Sequence, residues 1–148
     1  MKKTLYVHKK LLNTREFLEW AKSQGFENTL EAKDLHCTIA FSKKEVEWST
    51  IEKDRNSLRV KGGQRSVVPL GDMGAVVLKF QSDKLTERWE YYKERGCSFD
   101  YESYTPHVTI TYRGVGKVDL SKVRPYHGPL EFGPEIMKEV DLDWHKKK

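Results

Sequence analysis

Two short segments of the 148-residue chain carry a histidine and a threonine two positions apart, His36-Cys37-Thr38 and His107-Val108-Thr109. In a strand, side chains at i and i+2 point to one side. His36 and Thr38 are therefore expected on one face, with Cys37, Ile39 and Phe41 on the other. By the same rule His107 and Thr109 stand opposite Val108, Ile110 and Tyr112. Each polar face offers an imidazole, whose unperturbed pKa of about 6.5 lets it take or give a proton near neutrality. Beside it stands a hydroxyl that can hydrogen-bond an oxygen on which negative charge builds. Two such pairs suit phosphodiester transesterification. A base takes the proton of the attacking hydroxyl, and an acid protonates the leaving oxygen. This scheme needs no metal. Neither histidine has a His, Cys or carboxylate at ligand spacing except Asp34, two residues before His36. Neither a metal nor a cofactor is expected.

A single His-x-Thr strand is usually structural, but these two lie in segments that repeat. A shift of 71 positions sets Leu5-Tyr6-Val7 on Val76-Val77-Leu78, Gly25 on Gly96, His36 on His107, Thr38 on Thr109, Ile39 on Ile110 and Phe41 on Tyr112. One further residue of shift sets Val46 on Val118, Ile51 on Val123 and Leu58 on Leu130. The chain thus reads as one domain, residues 1–148, built from a duplication of approximately 1–70 and 71–148.

Each half reads strand, helix, loop, strand, linker, strand. Asn13 and Glu16 have the spacing of a capping box, and Phe17, Leu18, Trp20 and Ala21 supply the apolar face of a first helix that Gly25 ends. A second helix is predicted to start after Ser82, bury Leu85, Trp89 and Tyr92, and stop at Gly96. Both glycines precede their histidine by 11 residues, so each half delivers its motif by the same route.

Composition excludes several alternatives. A hydrophobic fraction of 37% with 11% aromatics argues against disorder. No apolar run approaches the roughly 18–20 residues of a membrane span, and no secretion signal is recognisable. Cys37 and Cys97 are isolated and read as reduced thiols, which implies a cytoplasmic protein. The net charge of +5 points weakly to an anionic partner, since part of it sits in Lys146, Lys147 and Lys148. Stable binding to duplex nucleic acid is not expected, because no single element concentrates the basic residues.

His36-Cys37-Thr38-Ile39 and His107-Val108-Thr109-Ile110 resemble the paired His-x-Thr/Ser-hydrophobic signature of the 2H phosphoesterase superfamily. Within it, the chain is similar over nearly its whole length to the phage anti-CBASS nucleases. Leu5-Tyr6-Val7, Trp20-Ala21-Lys22 with Gly25-Phe26, Tyr104-Thr105-Pro106-His107, and Phe132-Gly133-Pro134-Glu135 with Trp144 carry that similarity. The resemblance implies an α+β, bilobal pseudo-symmetric fold: two antiparallel-sheet lobes around a central cleft, helices outside. It implies metal-independent cleavage of 3′,5′-linked cyclic di- and trinucleotides, such as cyclic GMP–AMP and cyclic di- and triadenylate. A 2′,3′-cyclic phosphate would form and be hydrolysed to a 3′-phosphate.

The resemblance also implies that Tyr6 faces the cleft, that Glu135 binds a base edge, and that Trp144 stacks on a base. Tyr101 and Tyr104 read either as a lid over the ligand or as ordinary loop packing. Arg55, Arg59, Lys61 and Arg65 read either as phosphate contacts or as a solvated charge run. His8, His127 and His145 are assigned structural roles. Two other functions stay open: a 2′,3′-cyclic phosphodiesterase acting on RNA ends, and a non-catalytic nucleotide-binding sponge.

Overall fold

A computed structural model of the chain describes residues 2–70, 74–99, 103–112 and 118–140. β1 (Lys2–Leu11) alternates strictly over its second half: Leu5, Val7, Lys9 and Leu11 enter the core, and Tyr6, His8 and Lys10 face the opposite side. α1 (Thr14–Ser23) follows, burying Phe17 and Ala21. The chain turns at Gly25 (φ 94°), a left-handed conformation that glycine adopts without strain, and enters β2 (His36–Glu47), antiparallel to β1.

After β3 (Leu58–Val60) and β4 (Ser66–Leu70) the same order recurs. β5 (Ala75–Lys79), α2 (Asp83–Glu94), a left-handed turn at Gly96 (φ 98°) and β6 (His107–Thr111) repeat β1, α1, Gly25 and β2, and β7 (Leu130–Lys138) ends the series. The strands form two antiparallel sheets, β2-β1-β7-β3 and β4-β5-β6. This is the α+β, two-sheet arrangement that the resemblance implies. Leu5, Phe17, Leu78, Leu85, Ile110 and Phe132 belong to a single apolar cluster that joins both sheets and both helices.

The lobes do not coincide with the halves of the sequence. β7, from the second half, pairs with β1, while β4, from the first, pairs with β5. Each half therefore completes the sheet of the other. This exchange corrects the match of Leu58 to Leu130: those residues lie on β3 and β7, which are neighbours in one sheet. The pairing also moves the alignment of the first strands by two residues. His8 sits opposite Thr38 as Val77 sits opposite Thr109, so His8, and not Tyr6, is the counterpart of Val77.

The helix starts differ from each other. Ser82 Oγ accepts the Leu85 amide at 3.2 Å, an ordinary N-cap. Asn13 makes no cap hydrogen bond. Its amide instead donates to the Pro129 carbonyl (2.6 Å) while its Oδ1 accepts the Glu131 amide (3.0 Å), and Glu16 accepts the Tyr126 hydroxyl. The expected capping box is replaced by a clamp between the start of α1 and the start of β7.

Candidate active site

β2 and β6 are edge strands of their sheets and contact each other across the lobes. The Tyr104 hydroxyl bridges behind them, donating to the Thr38 carbonyl at 2.8 Å with Cys37 Sγ at 3.5 Å. Burial pushes the Cys37 thiol up to about 11, so it is an inert part of this wall.

Both strands carry a bulge at the same place. Val7 pairs with Ala40 and His8 with Thr38, leaving Ile39 as an extra residue; Val76 pairs with Thr111 and Val77 with Thr109, leaving Ile110 as the extra residue. An inserted residue reverses the alternation beyond it. Phe41 and Tyr112 consequently turn to the side of Thr38 and Thr109 and line the cleft, correcting the expectation that they share the face of the isoleucines. Ile39 and Ile110 stay in the core, 1% and 0% exposed.

The cleft has a volume of about 650 Å³, within the range of small-ligand sites. His36, Thr38 and Thr109 line it, together with Tyr6, His8 and Lys10. His107 lies on β6 two residues before Thr109, on the same strand face. His36 Nδ1 lies 2.6 Å from the Asp34 carbonyl, and His107 Nδ1 lies 3.0 Å from the Thr105 carbonyl. Each ring thus donates from Nδ1 to the carbonyl two residues earlier. A carbonyl can only accept, so the proton sits on Nδ1 and Nε2 is the basic nitrogen of each neutral ring. Desolvation, with a smaller contribution from Lys79, lowers the pKa of His107 and favours its neutral form. Lys79 faces His107 across the β5–β6 ladder, and Lys10 faces His36 across the β1–β2 ladder.

Tyr6 lines the cleft. Its hydroxyl hydrogen-bonds Thr38, its ring stands edge-on to His36 at 6.3 Å, and burial raises its pKa to about 12. Glu135 does not. It is 1% exposed, takes a bidentate bond from Arg88 (2.8 and 2.9 Å), and accepts the Tyr92 hydroxyl (2.6 Å) and the Asp54 amide (2.8 Å). Its cross-strand neighbour is Lys9, whose ammonium is buried against the Asn56 and Gly133 carbonyls. Glu135 thus anchors a buried ionic cluster behind β1, while Glu139, four residues on, lines the cleft.

Tyr104 is a wall residue, stacked on Trp89 at 5.8 Å and bonded to β2, rather than a lid. Trp144, Tyr101 and His145 lie outside the described residues. Arg65 donates to the Tyr126 and Val60 carbonyls and Arg59 pairs with Glu131, while Arg55, Lys61 and His127 are exposed away from the cleft. Sequence reasoning missed His8, Lys10 and Lys79. The alternation Tyr6-His8-Lys10 was the available signal for the first two.

A family model described as "Anti-CBASS protein Acb1" matches residues 3–147. Among curated relatives, an anti-CBASS protein Acb1 of Caulobacter sp. (strain RHG1) is 52% identical over 95% of this chain, and one of Sphingomonas paeninsulae is 49% identical over 95%. The chain spans 23% of the length of each of these two proteins. The Enterobacteria phage T4 protein of the same description is 27% identical, covering 85% of this chain and 80% of its own length. Among solved structures, a phosphoesterase superposes with TM-score 0.65 at 13% identity, covering 94% of this chain and 89% of that one. Escherichia coli LigT complexed with ATP superposes with TM-score 0.64 at 13% identity, covering 97% and 90%. The fold is thus that of the phosphoesterases, and the chain belongs to the anti-CBASS protein Acb1 family.

Proposed function

We propose that the chain is a metal-independent 2H phosphodiesterase that cleaves 3′,5′-linked cyclic di- and trinucleotide messengers and so blocks CBASS signalling in the host cytoplasm. One observation carries this reading: two imidazoles on equivalent strands, each tied through Nδ1 to the backbone carbonyl two residues earlier, so that Nε2 is the basic nitrogen of both. His107, held toward its neutral form, is the general base, and His36 is the general acid. His107 Nε2 takes the proton of a ribose 2′-hydroxyl, and the 2′-oxygen bonds to phosphorus. The P–O5′ bond breaks, and the proton of His36 goes to the departing oxygen. Thr38 and Thr109 donate hydrogen bonds to the non-bridging oxygens. Water then attacks the 2′,3′-cyclic phosphate, the P–O2′ bond breaks with the two histidines in reversed roles, and a linear 3′-phosphate results.

Lysines near the cleft suit an anionic substrate: Lys10, Lys33 and Lys138 line it, against the carboxylates Asp34 and Glu139. No described helix is long and apolar enough to cross a membrane. LigT, of similar fold, has been solved complexed with 3′-AMP, which keeps a 2′,3′-cyclic phosphodiesterase as the second reading. Incubation with cyclic GMP–AMP, cyclic di- and triadenylate and an RNA ending in a 2′,3′-cyclic phosphate, in EDTA, with mass analysis of products, separates them. Opening of the cyclic nucleotides to 3′-phosphates is expected. Turnover of the RNA end alone selects the second reading, and binding without turnover selects the sponge.

A further inference from the structure

His8 is not part of either motif, yet it is placed as a ligand contact would be. It lies on the cleft side of β1, directly across the ladder from Thr38, with its ring 5.4 Å from that of His36 and stacked on Tyr6 at 4.7 Å. It is 6% exposed, and among the described residues its buried Nδ1 has no hydrogen-bond partner. A buried polar atom without a partner opposes folding unless something else bonds it. Burial, reinforced by the neighbouring charge of His36, lowers its pKa to about 4, so the ring is neutral at working pH and offers one donor and one acceptor.

The duplication sharpens the point. Val77 holds the equivalent position opposite Thr109, fully buried and apolar. The fold therefore accommodates a β-branched apolar side chain at this register, and architecture alone does not call for an imidazole. The substrate does differ at its two ends, since a phosphodiester has an attacking side and a leaving side. A cleft with two equivalent His-x-Thr pairs needs a feature on one side only to hold such a group in a single direction.

Building on the proposed phosphodiesterase reading, we propose that His8 is a third histidine of the binding cleft, a specificity-determining residue that hydrogen-bonds a ribose–phosphate oxygen on the His36 side and fixes the direction in which the phosphodiester lies. Its position beside Thr38 and His36 puts it next to the oxygens that these residues serve. Its bond is therefore independent of which base the nucleotide carries.

The test is His8→Val, which installs the residue of the other half, with His8→Gln as the variant that keeps a donor and an acceptor. Thermal unfolding without ligand is read alongside KM and kcat for cyclic GMP–AMP and cyclic di-AMP. For His8→Val the expected result is an unchanged or raised Tm with KM about 10-fold higher for both substrates, the worth of roughly one hydrogen bond. For His8→Gln, KM should fall closer to wild type. A lowered Tm with unchanged KM assigns His8 to the scaffold and overturns the proposal, and so does a loss confined to one base. Should the wild-type chain turn over neither nucleotide, the phosphodiesterase reading fails by itself. Calorimetric binding of cyclic GMP–AMP to wild type and His8→Val then decides the role of His8, and equal affinity overturns it.

Discussion

The two halves of the cleft share what the proposed reaction would use twice and differ where that reaction would proceed in one direction. In both, a histidine opens an edge strand and bonds the carbonyl two residues earlier, a lysine stands across the ladder, and a bulge at the next isoleucine swings an aromatic ring into the wall. On the β1–β2 side, however, Tyr6 and His8 crowd His36, in a four-stranded sheet backed by the Lys9–Glu135–Arg88 cluster. On the β5–β6 side, in a three-stranded sheet, apolar Val77 and Leu78 stand where His8 and Lys9 stand in the first. On the proposed reading, duplication supplied two proton-transfer groups, and local divergence made their environments unequal.

The most severe break of the comparison removes either imidazole. His36→Ala and His107→Ala should each lower kcat by about 10²–10⁴-fold in single-turnover assays, with unfolding transitions close to wild type. The double variant should lose little more, because the two act as a unit. Next in size is the buried Lys9–Glu135–Arg88 cluster behind β1. Arg88→Ala leaves the Glu135 carboxylate without its ion-pair partner and should cost about 3–5 kcal/mol in denaturant unfolding, while the chemistry of the remaining folded protein is retained.

The pH dependence of stability should also be lopsided. His8 titrates near 4 when folded, under the influence of burial and of His36, Lys138 and Lys10, against 6.5 unfolded. The unfolded chain binds the proton more readily, so this contribution is complete above pH 6.5 and is lost as pH falls toward 4, up to about 3 kcal/mol. His107 adds to it in the same direction. Urea unfolding at pH 7 and pH 4.5 should show a smaller difference for His8→Val than for wild type. The smallest effects concern the helix starts. Ser82→Ala should cost about 1 kcal/mol as a lost cap. Asn13→Ala, which breaks the clamp to β7, should cost at least as much, because it leaves the Glu131 amide without its partner.

Strand alternation set His36 with Thr38 and His107 with Thr109 on shared strand faces, because alternation is local to each strand. Phe41 and Tyr112 were misplaced because a bulge belongs to the pairing between strands and leaves no mark in one strand alone. His8, Lys10 and Lys79 acquire meaning only from register, which the sequence does not print. The resemblance puts Glu135 at a base edge, whereas Arg88 and Tyr92, far away in the chain, hold it in the core. The clue lay in β1, where Lys9 occupies the inward phase of Leu5, Val7 and Leu11 and so calls for carbonyl oxygens and acidic groups in the core.

The central claim is that His36 and His107 act as an acid–base pair with unequal environments, and the pH dependence of kcat/KM for cyclic GMP–AMP in EDTA tests it most directly. The account predicts a bell. Activity should rise through the ionisation of His107, whose lowered pKa puts the acid limb below the ordinary 6.5, and fall as His36 loses its proton. A profile that is flat between pH 5 and 9, or activity that disappears in EDTA and returns with a divalent metal, would contradict it.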